Sequence, residues 1–267
     1  MKLNRHLSQT HLTLFETCPP QFQQKYVEGI NNFPNIIQEE KSQWGNIFHL
    51  LMQQYNLGLP LDDFINNYPD KGKDLKKSLA SLVKATEDIW TSSEILAKEE
   101  EYKLQLKFED YFFTVIYDLL IIYPDRAIIF DWKTYLSPQN EIKLRDNWQT
   151  KLYLYVLKEV MDYNPSQLSF TYWFVKMAHQ PESFTIHYNE QMHLQTKQEL
   201  SHILVKITKI YEDYFKNNLD FPHHNNCSNF CQYYEYFSSI KIEKNQDKNI
   251  TELPVNLDNI SEINPFS

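Results

Sequence analysis

Between Tyr117 and Lys133 the chain reads YDLLIIYPDRAIIFDWK, two apolar runs separated by Pro124-Asp125. Proline followed by aspartate supplies a turn, so the stretch predicts an antiparallel hairpin. Its second strand, Ala127 to Trp132, is apolar throughout and so suited to burial on both faces. Side chains alternate along a strand, which puts Asp131 and Lys133 on one face and Trp132 on the other. A loop symmetric about Pro124-Asp125 pairs Ile122 with Ala127, and the same register carried onward sets Asp118 opposite Asp131, with Cβ atoms about 4.5–5.5 Å apart. Opposed carboxylates repel unless something positive lies between them, and oxygen donors of this kind suit Mg²⁺ or Mn²⁺. An isolated Asp-x-Lys is more often a solvated edge with a surface ion pair, so the reading depends on independent features that agree with it.

Outward from this hairpin, Tyr102 to Phe108 alternates in polarity and Phe112 to Tyr123 is β-branched and aromatic, giving a β-meander whose last strand is central. Asn147 to Met161 reads as a helix, Leu168 to Val175 and Phe184 to Tyr188 as strands, and Glu190 to Asn217 as a long helix. Upstream, Ser8 to Thr17 is a short helix stopped by Cys18-Pro19-Pro20. From Gln38 to Gln54, Trp44, Ile47, Phe48, Leu51, Met52 and Tyr55 recur at spacings of three and four, the mark of an amphipathic helix. Leu61 to Asn67 and Leu75 to Leu96 extend a helical segment over about 38–97.

Two further pairs sit on predicted helices. His49 follows Gly45 by one turn on the same face, and a glycine inside a helix costs about 1 kcal/mol relative to alanine, which points to a close approach by another backbone. A lone histidine there is more often a satisfied core residue than a ligand. Gln149 and Tyr153 share a face of the helix after the Asp-x-Lys strand; alone, such a pair is more often ordinary surface polarity.

Composition bounds these readings. With 267 residues, 42% hydrophobic and 15% aromatic, the chain can bury one large core but not comfortably a second. We expect one domain over 1–240 and a polar, disordered tail over 241–267. The net charge of −9 argues against a general nucleic-acid coat protein. Setting aside the tail, with three basic and five acidic residues, leaves the body at −7. The stretch from Met1 to His11 lacks the apolar run of a signal peptide and no run of 18 apolar residues occurs, so a cytoplasmic protein without membrane contact is expected.

In this order, the motifs resemble the RecB-like branch of the PD-(D/E)XK nucleases, which includes the RecB and AddB nuclease domains and the CRISPR-associated exonucleases. The resemblance runs over most of Leu7 to Phe237: Leu7-Ser8-Gln9-Thr10-His11-Leu12 leading to Phe15 and Cys18-Pro19, then Gly45 to His49, Tyr117-Asp118, Asp131-Trp132-Lys133, and Gln149 to Tyr153. Each motif alone is weak; their conjunction in order is strong. It implies an α/β fold, a restriction-endonuclease-like core with a central mixed sheet flanked by helices. It implies hydrolysis of DNA phosphodiesters in repair, recombination or defence, with single strands or DNA ends as substrate. His49, Asp118, Asp131 and the main-chain carbonyl of Trp132 would hold Mg²⁺ or Mn²⁺, Lys133 would position a water, and Gln149 and Tyr153 would orient Lys133 or the DNA strand. A carboxylate of the Glu99-Glu100-Glu101 run could add an outer ligand, although three consecutive acids are more often a solvated strand entry.

The cysteines depart from the family pattern. Many relatives hold an iron–sulfur cluster on four thiolates, whereas this chain has Cys18, Cys227 and Cys231, with Phe237 about where a fourth would fall. A cluster is therefore not expected. Zinc bound by the three cysteines with His223 or His224 is one alternative, and a vestigial, metal-free site is the favoured one. The chain carries no P-loop, so a helicase partner would be a separate polypeptide. A reading of a different class is a catalytically silent DNA-binding or assembly subunit that keeps the nuclease fold.

Overall fold

The computed structural model describes residues 5–30, 36–68, 72–87, 89, 92–134, 140–176 and 180–223, with the backbone alone over 36–42. All the elements below belong to one compact unit, Met1–Phe221. The expected domain end at 240 and the tail over 241–267 lie outside the described residues.

A two-residue strand, β1 (His6–Leu7), leads into α1 (Gln9–Thr17), where Ser8 and His11 hydrogen-bond each other at the helix start. Proline can occupy the first turn of a helix, so Pro19-Pro20 both ends α1 and opens α2 (Pro19–Phe22), which runs on as a π-helical turn (Gln23–Val27). Next come α3 (Ile36–Asn56), α4 (Asp62–Asn66) and α5 (Gly72–Ala85). The helix expected to reach Leu96 stops at Ala85. Ile89, Ile95 and Leu96 prolong its apolar pattern, but Ile95 and Leu96 lead instead into β2 (Ala97–Phe108).

β2 forms a hairpin with β3 (Tyr111–Ile122), and β3 with β4 (Ala127–Lys133). Two helices follow, α6 (Glu141–Asp146), capped by Asn140, and α7 (Trp148–Val160), whose start is capped by the Asn147 side chain accepting from the Thr150 amide. A 3₁₀ turn (Pro165–Gln167), β5 (Leu168–Phe174), β6 (Glu182–His187) and α8 (Glu190–Asn217) complete the unit.

The sheet order is β1-β3-β4-β5-β6, with β2 on the other edge of β3. β4 is central and runs parallel to β5, so the sheet is mixed, as expected. Helices cover both faces. On one side α7 is buried from Leu152 to Leu157, packed with Leu200, Ile203, Leu204 and Ile207 of α8. On the other, Phe48, Leu51 and Met52 of α3 and Leu75, Leu79 and Leu82 of α5 cover Leu119, Ile121, Phe130 and Trp132. Burying each such side chain contributes about 1.5–3 kcal/mol, enough to pin the register of both layers.

One feature of the sheet positions the candidate site. β3 and β4 pair only from Leu119↔Phe130 to Ile122↔Ala127. Beyond that, β3 continues along β2 down to Tyr111, while β4 continues along β5 to Lys133. The strands part, and a fork opens between them. The expected register is right over its four pairs, but the ladder ends one step short of Asp118 and Asp131, which are not partners.

Candidate active site

Asp118 stands where alternation along β3 changes phase. Tyr111, Phe113, Val115 and Tyr117 face the α7–α8 core, whereas beyond Asp118 it is Leu120 that does so, and Leu119 and Ile121 face α3 and α5. Across β2, the residue that would pair with Asp118 is Glu101, and these two positions alone drop out of a ladder that is otherwise continuous from Ala97 to Phe108. At the fork the Asp118 carboxylate replaces a ladder partner: its Oδ2 accepts the Trp132 amide at 2.8 Å. A residue's N–H and C=O share one edge of a strand, so the Trp132 carbonyl faces the fork as its amide does, and the neighbouring Lys133 carbonyl accepts from Val175 on the opposite edge.

The α3 side of the fork supplies His49, whose Nδ1 lies 3.3 Å from Asp118 Oδ2. Burial pulls its pKa down, but the hydrogen bond to Asp118 and the charges of Asp118, Asp131 and Glu101 outweigh burial and raise it to about 9. The Gly45 reading is corrected in one respect. The close neighbour is not backbone but the Thr134 hydroxyl just beyond β4, which would lie 2.8 Å from a Cβ at position 45.

From the α7 side come Gln149 and Tyr153. Lys133 Nζ lies 2.8 Å from Asp131 Oδ2 and donates to Gln149 Oε1 at 2.8 Å. The Gln149 amide nitrogen donates in turn to Asp131 Oδ1. One carboxamide therefore ties the acid and the base of the strand together. Burial raises the Asp131 carboxyl, and Lys133 opposes that. Tyr153 is buried edge-on against Tyr117, whose hydroxyl donates to the Tyr153 carbonyl at 3.0 Å. Burial drives the Tyr153 phenol up, and the charges of Asp131 and Asp118 add to this, while hydrogen bonds to the Ile116 backbone and Gln149 oppose it.

The expected residues His49, Asp118, Asp131, Trp132, Lys133, Gln149 and Tyr153 thus line one open cleft. Of the Glu99-Glu100-Glu101 run, it is Glu101 that joins them in the cleft. Single donor atoms of His49, Glu101 and Asp118 lie within 4.8 Å of one another, a spacing that would admit a metal ion. The hairpin about Glu109-Asp110 carried the signal, because the pairing of Tyr111 with Phe108 projects Glu101 onto Asp118. Burial and repulsion by Asp118 raise the Glu101 carboxyl, and His49 lowers it. The donor set of one imidazole and two carboxylates fits a divalent cation. Around it stand Gln9, Asn46 and Gln53 with the apolar Leu50 and Ile116, 42% and 44% exposed, and Lys133 brings the only ammonium among the lining residues.

Cys18, half-buried, lies at the junction of α1 and α2, where its amide closes α1 on Leu14. Cys227, Cys231, His224 and Phe237 lie outside the described residues, so the second metal site is not addressed by the structure. No helix among the described residues is long and apolar enough to cross a membrane.

No curated protein matches the chain in sequence. Among solved structures, a protein of Eubacterium rectale named "Putative exonuclease" is similar over 95% of this chain and 91% of its own, with a TM-score of 0.54 and 11% identity, a likeness of fold alone. A second, named SSO0001, is 12% identical over 77% of this chain and 78% of its own, with a TM-score of 0.35, too low to bear on the fold. The model of the PD-(D/E)XK nuclease superfamily matches residues 6–236, which takes in the whole sheet, the fork and α1 to α8, and the chain therefore belongs to the PD-(D/E)XK nuclease superfamily.

Proposed function

We propose that the protein is a cation-dependent deoxyribonuclease of the RecB-like branch, working as one domain in the cytoplasm and acting on single-stranded DNA or DNA ends. The observation that carries this reading is the fork: Asp131 and Lys133, bridged by Gln149, lie in one cleft with the His49–Asp118 pair. Nucleases of this superfamily use divalent metals. His49, Asp118, Asp131 and the Trp132 carbonyl are the groups we assign to hold Mg²⁺ or Mn²⁺. The bound cation supplies Lewis-acid polarisation of the phosphodiester and acidification of a water.

The chain's own residues do the rest. Lys133 holds the water that attacks phosphorus and stabilises the negative charge that grows on the phosphoryl oxygens as the bond to the leaving oxygen breaks. Gln149 keeps the Lys133 ammonium within reach and Tyr153 keeps Gln149 in place, so this donor is positioned before substrate arrives. Among the described lining residues, Lys133 is the one ammonium, and the carboxamides of Gln9, Asn46 and Gln53 and the exposed Leu50 and Ile116 surround the site. Carboxamides can hydrogen-bond the exposed edges of unpaired bases, whereas duplex recognition through phosphates rests on clustered cations. A separate helicase that opens duplex for this chain fits the same reading. The retention of Asp118, Asp131, Lys133 and His49 together in one cleft favours this reading over a catalytically silent subunit.

The test is incubation of end-labelled single- and double-stranded DNA with the purified protein and Mg²⁺ or Mn²⁺. Cleavage that needs the cation, and prefers single strands or ends, is expected. Intact DNA at millimolar cation, or equal cleavage in EDTA, would refute the proposal.

A further inference from the structure

Past the fork the β2–β3 hairpin runs on without β4, and its two faces differ. Leu104, Tyr111, Phe113, Val115 and Tyr117 turn into the core. The other face carries Phe112, Thr114 and Ile116 from β3 and Lys103, Gln105 and Lys107 from β2, because directly paired residues of an antiparallel ladder point the same way. The register sets Lys103 opposite Ile116, Gln105 opposite Thr114 and Lys107 opposite Phe112, and a 3.1 Å hydrogen bond from Gln105 to the Thr114 hydroxyl joins the middle pair. Gln105 and both lysines are exposed, as are Phe112 and Ile116. His6 of β1 stacks on the Phe112 ring, with centroids 5.2 Å apart.

This face leads into the cleft, since Ile116 lines it and Asp118 follows two residues on. The strand from Phe112 to Asp118 spans roughly 20 Å, and Lys103 and Lys107 stand about 13 Å apart. In a chain of net charge −9, the described residues of β2 and β3 on this face, between fork and turn, include two ammoniums and no carboxylate. At the turn the Asp110 carboxylate lies 3.5 Å from the Arg5 guanidinium. Lysines on an edge strand also discourage pairing with another sheet. That duty needs charge alone, and neither the exposed Phe112–His6 stack nor an apolar partner opposite each lysine serves it. Surfaces that hold an unpaired strand combine cations for phosphates with rings on which bases stack, and this face carries both.

We propose that the outward face of the β2–β3 ribbon is a docking track for single-stranded DNA, on which Lys103 and Lys107 hold phosphates and a base stacks on Phe112, leading the strand past Ile116 into the fork. This rests on the nuclease reading above and gives it a substrate-binding surface away from the metal-binding groups. The lysine stems lie along Ile116 and Phe112 and carry their ammoniums outward to the phosphates.

Fluorescence anisotropy of a labelled oligothymidylate, titrated with the full chain in Ca²⁺ at several salt concentrations, tests the track independently of cleavage. Each phosphate contact on a single strand contributes about 0.7 to the slope of log affinity against log salt, so Lys103→Gln combined with Lys107→Gln should flatten it by about 1.4. The charge-matched pair Lys206→Gln and Lys209→Gln, exposed on α8 across the sheet, should leave the slope as it is. Phe112→Ala should weaken binding about fivefold or more, while Phe112→Trp keeps the affinity and its added indole fluorescence is quenched by the strand. An unchanged slope in the ribbon pair, an equal flattening in the α8 pair, or full affinity in Phe112→Ala would overturn the inference. The two levels separate in the wild type. If it binds and cleaves the strand while the ribbon variants match it, only the track is misassigned; if it neither binds nor cleaves, the nuclease reading falls as well.

Discussion

Replacing Gln149 with alanine removes a side chain that hydrogen-bonds both Asp131 and Lys133. Hydrogen bonds to charged groups contribute about 1.5–3 kcal/mol each when lost without replacement. The cleft is open, so water can enter and replace part of what is lost, and about 2–3 kcal/mol in total is a reasonable expectation for the pair. In a chain of this size that lowers the thermal midpoint by roughly 4–12 °C. The effect on cleavage should be larger in proportion. Freed from its acceptor, the Lys133 ammonium can drift by about 1 Å, and displacement on that scale can cost on the order of 100-fold in rate. The assays are urea denaturation of the metal-free protein and single-turnover cleavage at saturating Mn²⁺. A loss of stability under about 0.5 kcal/mol together with unaltered cleavage would show that the carboxamide bridge holds neither group, and the reasoning from this geometry would fail.

Lys133→Ala should reduce cleavage to background while DNA binding, measured by fluorescence anisotropy in Ca²⁺, stays near the wild-type value; retained cleavage would remove Lys133 from the mechanism. Gly45→Ala sets a Cβ 2.8 Å from the Thr134 hydroxyl. It should therefore be neutral or destabilising alone, but stabilising by about 1 kcal/mol in a Thr134→Ala background, where helix propensity acts unopposed. Additive changes in that cycle would count against the contact. Because His49 in the metal-free protein titrates near 9, above its ordinary 6.5, its pairing with Asp118 stabilises the fold fully below about pH 6.5 and is lost as pH rises through 9. Metal-free stability should accordingly fall across that window, and Mn²⁺ affinity should rise across it because the ion displaces the proton. Opposite slopes, or a profile unchanged in His49→Asn, would contradict the pairing. Leu50→Lys should shift the preference from single-stranded toward duplex DNA, read as the ratio of kcat/KM on the two substrates; an unmoved ratio would show that the apolar rim plays no part in selecting the strand.

Much of the architecture was legible because local signals and tertiary packing agree. The apolar run before Asp131 is long enough for a central strand, and the turn at Pro124-Asp125 sets its register to within the observed four pairs. The caps at Ser8, Asn147 and Asn189 mark three helix starts within a residue or two of their observed positions. What escaped was non-local. β1 is two residues long and owes its existence to the parallel edge of β3, so nothing in His6-Leu7 by itself announces a strand. The apolar residues after Ala85 continue a helical spacing, yet while Ile89 is helical, Ile95 and Leu96 lead into β2. At the candidate site, strict alternation places Asp131 and Lys133 together, and the structure agrees. The same rule fails at Asp118 and Glu101, where the phase change along β3 and the left-handed turn at Glu101 interrupt the ladder. Sequence periodicity assumes an unbroken pleat and so could not choose Glu101 among three consecutive acids, even though the hairpin register pointed to it. Gly45 was read correctly as a point of close approach but could not name Thr134 as the neighbour.

The central claim is that one divalent cation sits in the fork between β3 and β4, and anomalous diffraction from crystals soaked in Mn²⁺ addresses it directly. A single strong peak is expected within about 2.0–2.4 Å of donor atoms from His49, Asp118 and Asp131 and of the Trp132 carbonyl. A map without a peak there, with the carboxylates of Asp118 and Asp131 turned to solvent, would contradict it.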